Sequence, residues 1–241
     1  VKRPSALERL SRNPATAAII LVTTVTFAFQ WLSRGVFGVD LLLELGDKSN
    51  AAIQSGELWR LLTPIFLHVN LLHILVNMYS LYIIGPVVER PFGPTRFTVI
   101  YFLSGIGGVA SSLAFSRQPS AGASGAIFGL LGALAAFLFL HRRVFGKAGA
   151  GQLRQIIFVA LLNLAIGLSP GIDNWGHVGG LVCGIALALT IGPRYQPVWT
   201  DADGGRLADR RPWSGQWPRA LLATAAVLLL AFLAALSPFT R

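Results

Sequence analysis

In this chain of 241 residues, 54% are hydrophobic and only 12% charged, about half the charge of a soluble globular domain. With a mean hydropathy of +0.62, it reads as a chain solvated mostly by lipid. The net charge of +10 would suit nucleic acid in a soluble domain, but the placement of the charges, below, excludes that partner. A single cysteine, Cys183, excludes an internal disulfide and any cysteine-rich metal site.

About 20 apolar residues cross a bilayer as a helix. That ruler predicts seven spans, at roughly 15–33, 65–86, 96–115, 123–141, 153–169, 175–192 and 218–236. Asn163 interrupts the fifth and Pro170 closes it early. The expected fold is an all-α polytopic membrane protein without internal repeats. It divides into a basic tail (1–14), a six-span core (15–192), a linker (193–217) and a seventh helix with a short tail (218–241). The tail holds Lys2, Arg3, Arg9 and Arg12, but the apolar run after it is long enough to span and lacks a small-residue cleavage site, so no cleavable signal peptide is expected. The first residue is Val1, and the only methionine is Met78.

Fifteen of the 20 Lys and Arg residues fall in the tail and in the loops after spans two, four and six. Positive charge marks the cytoplasmic side, which predicts a cytoplasmic N-terminus and, after seven spans, a C-terminus outside. The basicity is therefore topological. The Ala, Gly and Arg-rich composition fits a bacterial inner membrane.

The loop from about residue 35 to 63 alternates apolar stretches with Asp40, Glu44, Asp47 and Glu57. This pattern predicts short amphipathic helices in the interface, with Trp59 at headgroup level. Span two carries His68, His73 and Asn77. The last two are four apart, on one helix face. Polar groups at such depth normally face the protein interior and serve a function, although helix–helix hydrogen bonding would also use them.

Span four opens on Gly122-Ala123-Ser124-Gly125. The glycines leave Ser124 open to approach, and a helix N-terminus offers free N–H groups to developing negative charge. Gly125, Gly129 and Ala133 also form a small-residue packing face. On span six, His177, Gly180, Gly184 and Ala188 line one face. Two glycine faces bring helices close, and Ser124 and His177 lie at similar depth.

A serine becomes a nucleophile when a base takes its proton, and a neutral histidine is the usual base. A carboxylate often orients that base, but no Asp or Glu lies within a span, and Asp173 is the nearest, in the loop before His177. The residues therefore point to a Ser124–His177 dyad, with Phe128, one turn after Ser124, stacking on the imidazole or simply packing. His73, Asn77 and the backbone N–H of Ser124 are the oxyanion donors in this reading. Water would reach the site through a cavity lined by His68, His73 and Asn77 and bordered by residues 116–121 and 171–175. No His-Glu-x-x-His string is present and the four histidines lack carboxylate or thiolate companions, so neither metal nor cofactor is expected; an all-histidine site is the one metal alternative.

The set His68…His73…Asn77, Gly122-x-Ser124-Gly125 and His177-x-x-Gly180-x-x-x-Gly184, with Trp59-Arg60 and Gly85…Glu89…Gly93, resembles the rhomboid intramembrane serine proteases. The resemblance covers roughly residues 15–192. It implies Ser124 as nucleophile, His177 as base, and His73 and Asn77 as oxyanion donors. It further implies a six-helix bundle with one extra C-terminal helix, and cleavage of single-span membrane proteins in or near their transmembrane segments. Phe128 stands where some members have Tyr. Two other readings use the same residues: a proteolytically silent relative that binds, retains or extracts membrane clients, and a small transporter whose polar residues line a path. The latter would need a duplicated half, and none is visible.

Overall fold

The computed structural model describes residues 5–199 and 205–236. Helix α1 (Ala6–Ser11) begins on a capping box, in which Ser5 Oγ accepts from Glu8 N while the Glu8 carboxylate accepts from Ser5 N. Helix α2 (Pro14–Phe37) follows. The loop after it holds α3 (Leu41–Gly46), α4 (Asn50–Gln54) and two 3-10 turns, Leu58–Leu61 and Thr63–Phe66. Then come α5 (Leu71–Phe92), α6 (Pro94–Phe115), α7 (Ser124–Leu140), α8 (Arg142–Ile166) and α9 (Asn174–Ile191). An antiparallel hairpin, β1 (Tyr195–Val198) and β2 (Arg206–Asp209), pairs Tyr195 with Asp209 and leads to α10 (Trp217–Leu236).

Six of these helices are long and apolar enough to cross a membrane, and α7 is a shorter apolar helix of 17 residues. The chain is thus an all-α polytopic membrane protein, with the hairpin as a small addition. Large apolar side chains such as Leu21 and Trp31 on α2, Phe158 on α8 and Leu222 on α10 are exposed. In a lipid solvent that exposure is favourable, and association depends instead on close packing.

Helix α7 is the centre of the bundle. Almost every residue from Ala126 to Leu138 is buried, and its main neighbours are α9 and α6. The α7–α9 contact is a glycine seam: a methyl group on Gly180 or Gly184 would overlap the carbonyl oxygens of Gly125 and Gly129. Backbone-to-backbone approach of this kind fixes one register between two helices, because only glycine fits at the crossing.

The polar contacts sit at helix ends. Glu89, buried in the last turn of α5, accepts from Ala15 N (2.9 Å), Thr16 N (2.8 Å) and Thr16 Oγ1 (2.6 Å). A carboxylate on the free N–H groups of a helix start satisfies both partners, and it ties α2 to α5. In the loop before α5, Arg60 donates to Glu57 Oε2, Asp47 Oδ1, Asp47 O and Glu44 O. One buried guanidinium thereby folds the short helices of that loop together.

Two expectations need correction, and a third segment holds structure that the sequence did not announce. Span two begins at Leu71, because Asn70 caps it by accepting from His73 N at 2.8 Å and Pro64 sits in the preceding 3-10 turn; His68 therefore lies in the loop before the helix. The fifth span starts at Arg142 rather than near residue 153, with a break at Gly146, whose φ is +53°. The linker after α9 contains the hairpin, whose short strands give no apolar periodicity to read.

Candidate active site

Ser124 is the first residue of α7, and no side chain caps that helix. The N–H groups of its first turn are therefore free of intrahelical and side-chain acceptors. The approach to it is held from both sides. Gly122 N donates to Pro64 O (2.8 Å) and Ala123 N to His68 Nε2 (3.4 Å). Farther back, Lys48 and Ser120 exchange backbone hydrogen bonds of 2.8 and 3.2 Å, and Lys48 Nζ donates to Ser116 O and Gln118 O.

Gly122 has φ +144°, and a methyl group there would lie 2.8 Å from His73 Cε1 and 2.9 Å from His73 Nε2. Glycine is thus required twice at this position, by backbone conformation and by the imidazole pressed against it. The result brings the His73 ring beside the loop that presents Ser124.

His177 is the fourth residue of α9, buried at 8% exposure. Its Nε2 lies 2.9 Å from Ser124 Oγ, hydrogen-bond distance for a nucleophile and its base. The Phe128 ring stacks on the imidazole with centroids 4.4 Å apart and an interplanar angle of 11°. Its Nδ1 is buried and has no hydrogen-bond partner among the described residues. The α7–α9 glycine seam directly below sets this spacing.

The other named residues are placed as follows. The His68 ring packs edge-on against His73 at 5.0 Å, and its backbone is held by Gln30, which accepts from His68 N and donates to His68 O. Burial, then His73, pushes the His68 imidazole down to about 3, so it is neutral and its Nε2 accepts from Ala123. Asn77 is buried, and its Nδ2 donates to His73 O at 2.9 Å, which leaves one N–H of the amide. A cavity of about 30 Å³ borders Ser124, lined also by Ser120, Gly122, Gly125, Asp173, Gly176 and His177 among others. His68, His73 and Asn77 are not among its lining residues; the His73 ring lies against Gly122.

Sequence reasoning did not foresee Lys48, Gln30 or the capping role of Asp173. Asp173 was legible in part, as an Asp immediately before an apolar helix. Lys48 and Gln30 act across large sequence separations and leave no local pattern.

The model of the Rhomboid domain matches residues 55–194 of this chain, which is more than half of it and includes His68, His73, Asn77, Gly122, Ser124, Phe128 and His177. The chain belongs to the rhomboid family. It is 38% identical over 192 residues to a Bacillus subtilis protein named rhomboid protease GluP, covering 79% of this chain and 37% of that one. It is 36% identical over 180 residues to RHOMBOID-like protein 6, mitochondrial, of Arabidopsis thaliana, covering 73% and 58%. Another Arabidopsis relative, 36% identical over 161 residues and covering 65% and 46%, is named inactive RHOMBOID-like protein 8. The chain thus spans between about a third and three-fifths of the length of these rhomboid relatives.

Proposed function

We propose that this rhomboid is an intramembrane serine endopeptidase that hydrolyses peptide bonds in or next to the transmembrane segments of single-span membrane proteins. The observation that carries the reading is the 2.9 Å separation of Ser124 Oγ and His177 Nε2 at the uncapped start of a buried apolar helix. The name of the Bacillus subtilis relative supports it. Ser124 is the nucleophile and His177 the base that takes its proton and later gives it to the departing amine. The free N–H groups at the start of α7, with His73 and the remaining N–H of Asn77, stabilise the oxyanion; each such donor is worth about 3 kcal/mol. His68 holds Ala123 in place, Gly122 admits the His73 ring, and Phe128 holds the plane of His177. No cofactor or metal enters.

Residues 15–192 form the catalytic core in this reading, with α10 as an added helix. The N-terminus is cytoplasmic and the site opens toward the opposite side, in a bacterial inner membrane. The reading is tested by incubating the purified chain, in micelles and in liposomes, with a panel of tagged single-span proteins. Wild type is expected to cleave, and Ser124→Ala and His177→Ala to lose at least about a thousandfold in kcat with unchanged melting. Cleavage that survives Ser124→Ala overturns the nucleophile. The second reading, a silent client-binding relative, has the inactive Arabidopsis protein on its side. It predicts that all three chains retain clients equally and cleave none.

A further inference from the structure

A base that must accept a proton at Nε2 needs its other nitrogen, Nδ1, to keep a proton and point it at an acceptor. His177 Nδ1 is buried and has no acceptor among the described residues. A buried N–H left without a partner is costly, and a bridging water is the means of answering it. The nearest acid is one helical turn back. Asp173 is the N-cap of α9, and only one of its oxygens is engaged: Oδ1 accepts from Gly176 N at 3.0 Å. Oδ2 has no hydrogen bond among the described residues and is turned over Gly176, where a methyl group would meet it at 2.9 Å.

Asp173 and His177 border the same cavity, together with Ser120 and Ser124. Its volume of about 30 Å³ exceeds the roughly 15 Å³ a water needs, and its lining supplies the polar partners a buried water requires. The carboxylate of Asp173 is the negative charge that acts on His177. Lys48, in turn, lies within the field of Asp173, with its ammonium anchored on Ser116 O and Gln118 O.

We infer that Asp173 is a positioning residue for His177, acting through a water held in this cavity between its Oδ2 and His177 Nδ1. The water accepts from Nδ1–H and donates to the carboxylate, which leaves the Nε2 lone pair aimed at the Ser124 hydroxyl. As the bond from Ser124 Oγ to the substrate carbonyl carbon forms, the hydroxyl proton moves to Nε2. The ring is then cationic, and the carboxylate opposes that charge without taking a proton. When the C–N bond breaks, the Nε2 proton passes to the leaving nitrogen and the ring is neutral again. The site is then a dyad by direct contact and a triad through one water.

This inference rests on the protease reading, and the experiment separates the two. Asp, Asn and Ser cap helices about equally well, so Asp173→Asn and Asp173→Ser keep the cap and remove the charge. Cleavage of a single-span substrate is measured for both, beside wild type and Ser124→Ala, with fluorophosphonate labelling of Ser124 followed in parallel. The expected result is a fall of about tenfold in kcat and in labelling rate for both variants, with KM within about twofold and melting unchanged. Two outcomes overturn the inference while the protease reading stands: wild-type kcat in both variants, or losses that track a lowered melting temperature and vanish on cooling the assay. A wild type that neither cleaves nor is labelled overturns both readings together.

Discussion

The ring of Phe128 lies flat on the imidazole of His177, 4.4 Å away and 11° from parallel. Both rings are buried, and each comes from a different helix, so the stack fixes the azimuth of His177 relative to α7. Stacked aromatic pairs contribute about 1 kcal/mol beyond the area they bury. Phe128→Leu is therefore expected to lower kcat by roughly fivefold, because the imidazole gains freedom while most of the volume is kept. Phe128→Tyr preserves the ring and is expected to stay within about threefold of wild type in the same cleavage assay.

Gly122→Ala is expected to be more damaging than its size suggests. A methyl group would press on the His73 ring at 2.8 Å, and the backbone at φ +144° resists any side chain. Either response moves the loop carrying Ser124 or displaces His73. A shift of about 1 Å at a catalytic group costs on the order of a hundredfold in rate. The comparison is kcat for Gly122→Ala against wild type, and a loss below about threefold would contradict the assigned contact.

Arg60 is 5% exposed and its fork serves Glu57, Asp47 and the carbonyl of Glu44. Lysine cannot reproduce that planar set of donors. Arg60→Lys is expected to lower stability by about 2 kcal/mol, read as a drop in melting temperature in detergent. The partners of Arg60 are Glu57, Asp47 and Glu44, none of them a dyad residue, so kcat well below the melt should change little.

Burial pushes the Lys48 ammonium down to about 8, against the opposing pull of Asp173 and Asp47. An unfolded lysine titrates near 10.5. Between about pH 8 and 10.5 the unfolded chain therefore binds a proton that the folded chain lacks, and this group makes the fold more stable as pH rises through that window. Below about 8 both states are protonated and the contribution is flat at its least favourable. The melting temperature of wild type minus that of Lys48→Met should accordingly rise from pH 8 to 10.5 and be constant between 6 and 7.5. A difference that falls over the upper window would contradict the assignment.

The spans were legible because lipid demands long apolar runs, and the helical face of Gly180 and Gly184 was legible because close crossings demand glycine at fixed spacing. The short helices of the loop after α2 were legible from alternating Asp, Glu and Leu. Where the sequence misled, a local signal was overruled by a contact. Apolar Ile65, Phe66 and Leu67 look like the start of a span, yet Asn70 caps the helix three residues after Leu67 and leaves His68 in the loop. Ser124 and His177 could be matched by depth, but their 2.9 Å spacing depends on the seam beneath them. The anchoring of Lys48 on Ser116 and Gln118, and of Gln30 on His68, joins residues tens of positions apart, and nothing in either neighbourhood announces the other.

Helix α7 has 17 residues and so measures about 25 Å, roughly 5 Å less than the hydrocarbon layer of a typical bilayer. A helix that short, flush with one face of the layer, begins beneath the other, and its first residue is Ser124. In the proposed function the depth of the nucleophile is then a length counted in residues. On that reading, a client would be selected first by which of its bonds reaches that level, and then by the side chains around the bond. The same geometry makes membrane thickness a variable of the reaction: a thinner bilayer raises Ser124 toward water, and a thicker one buries it.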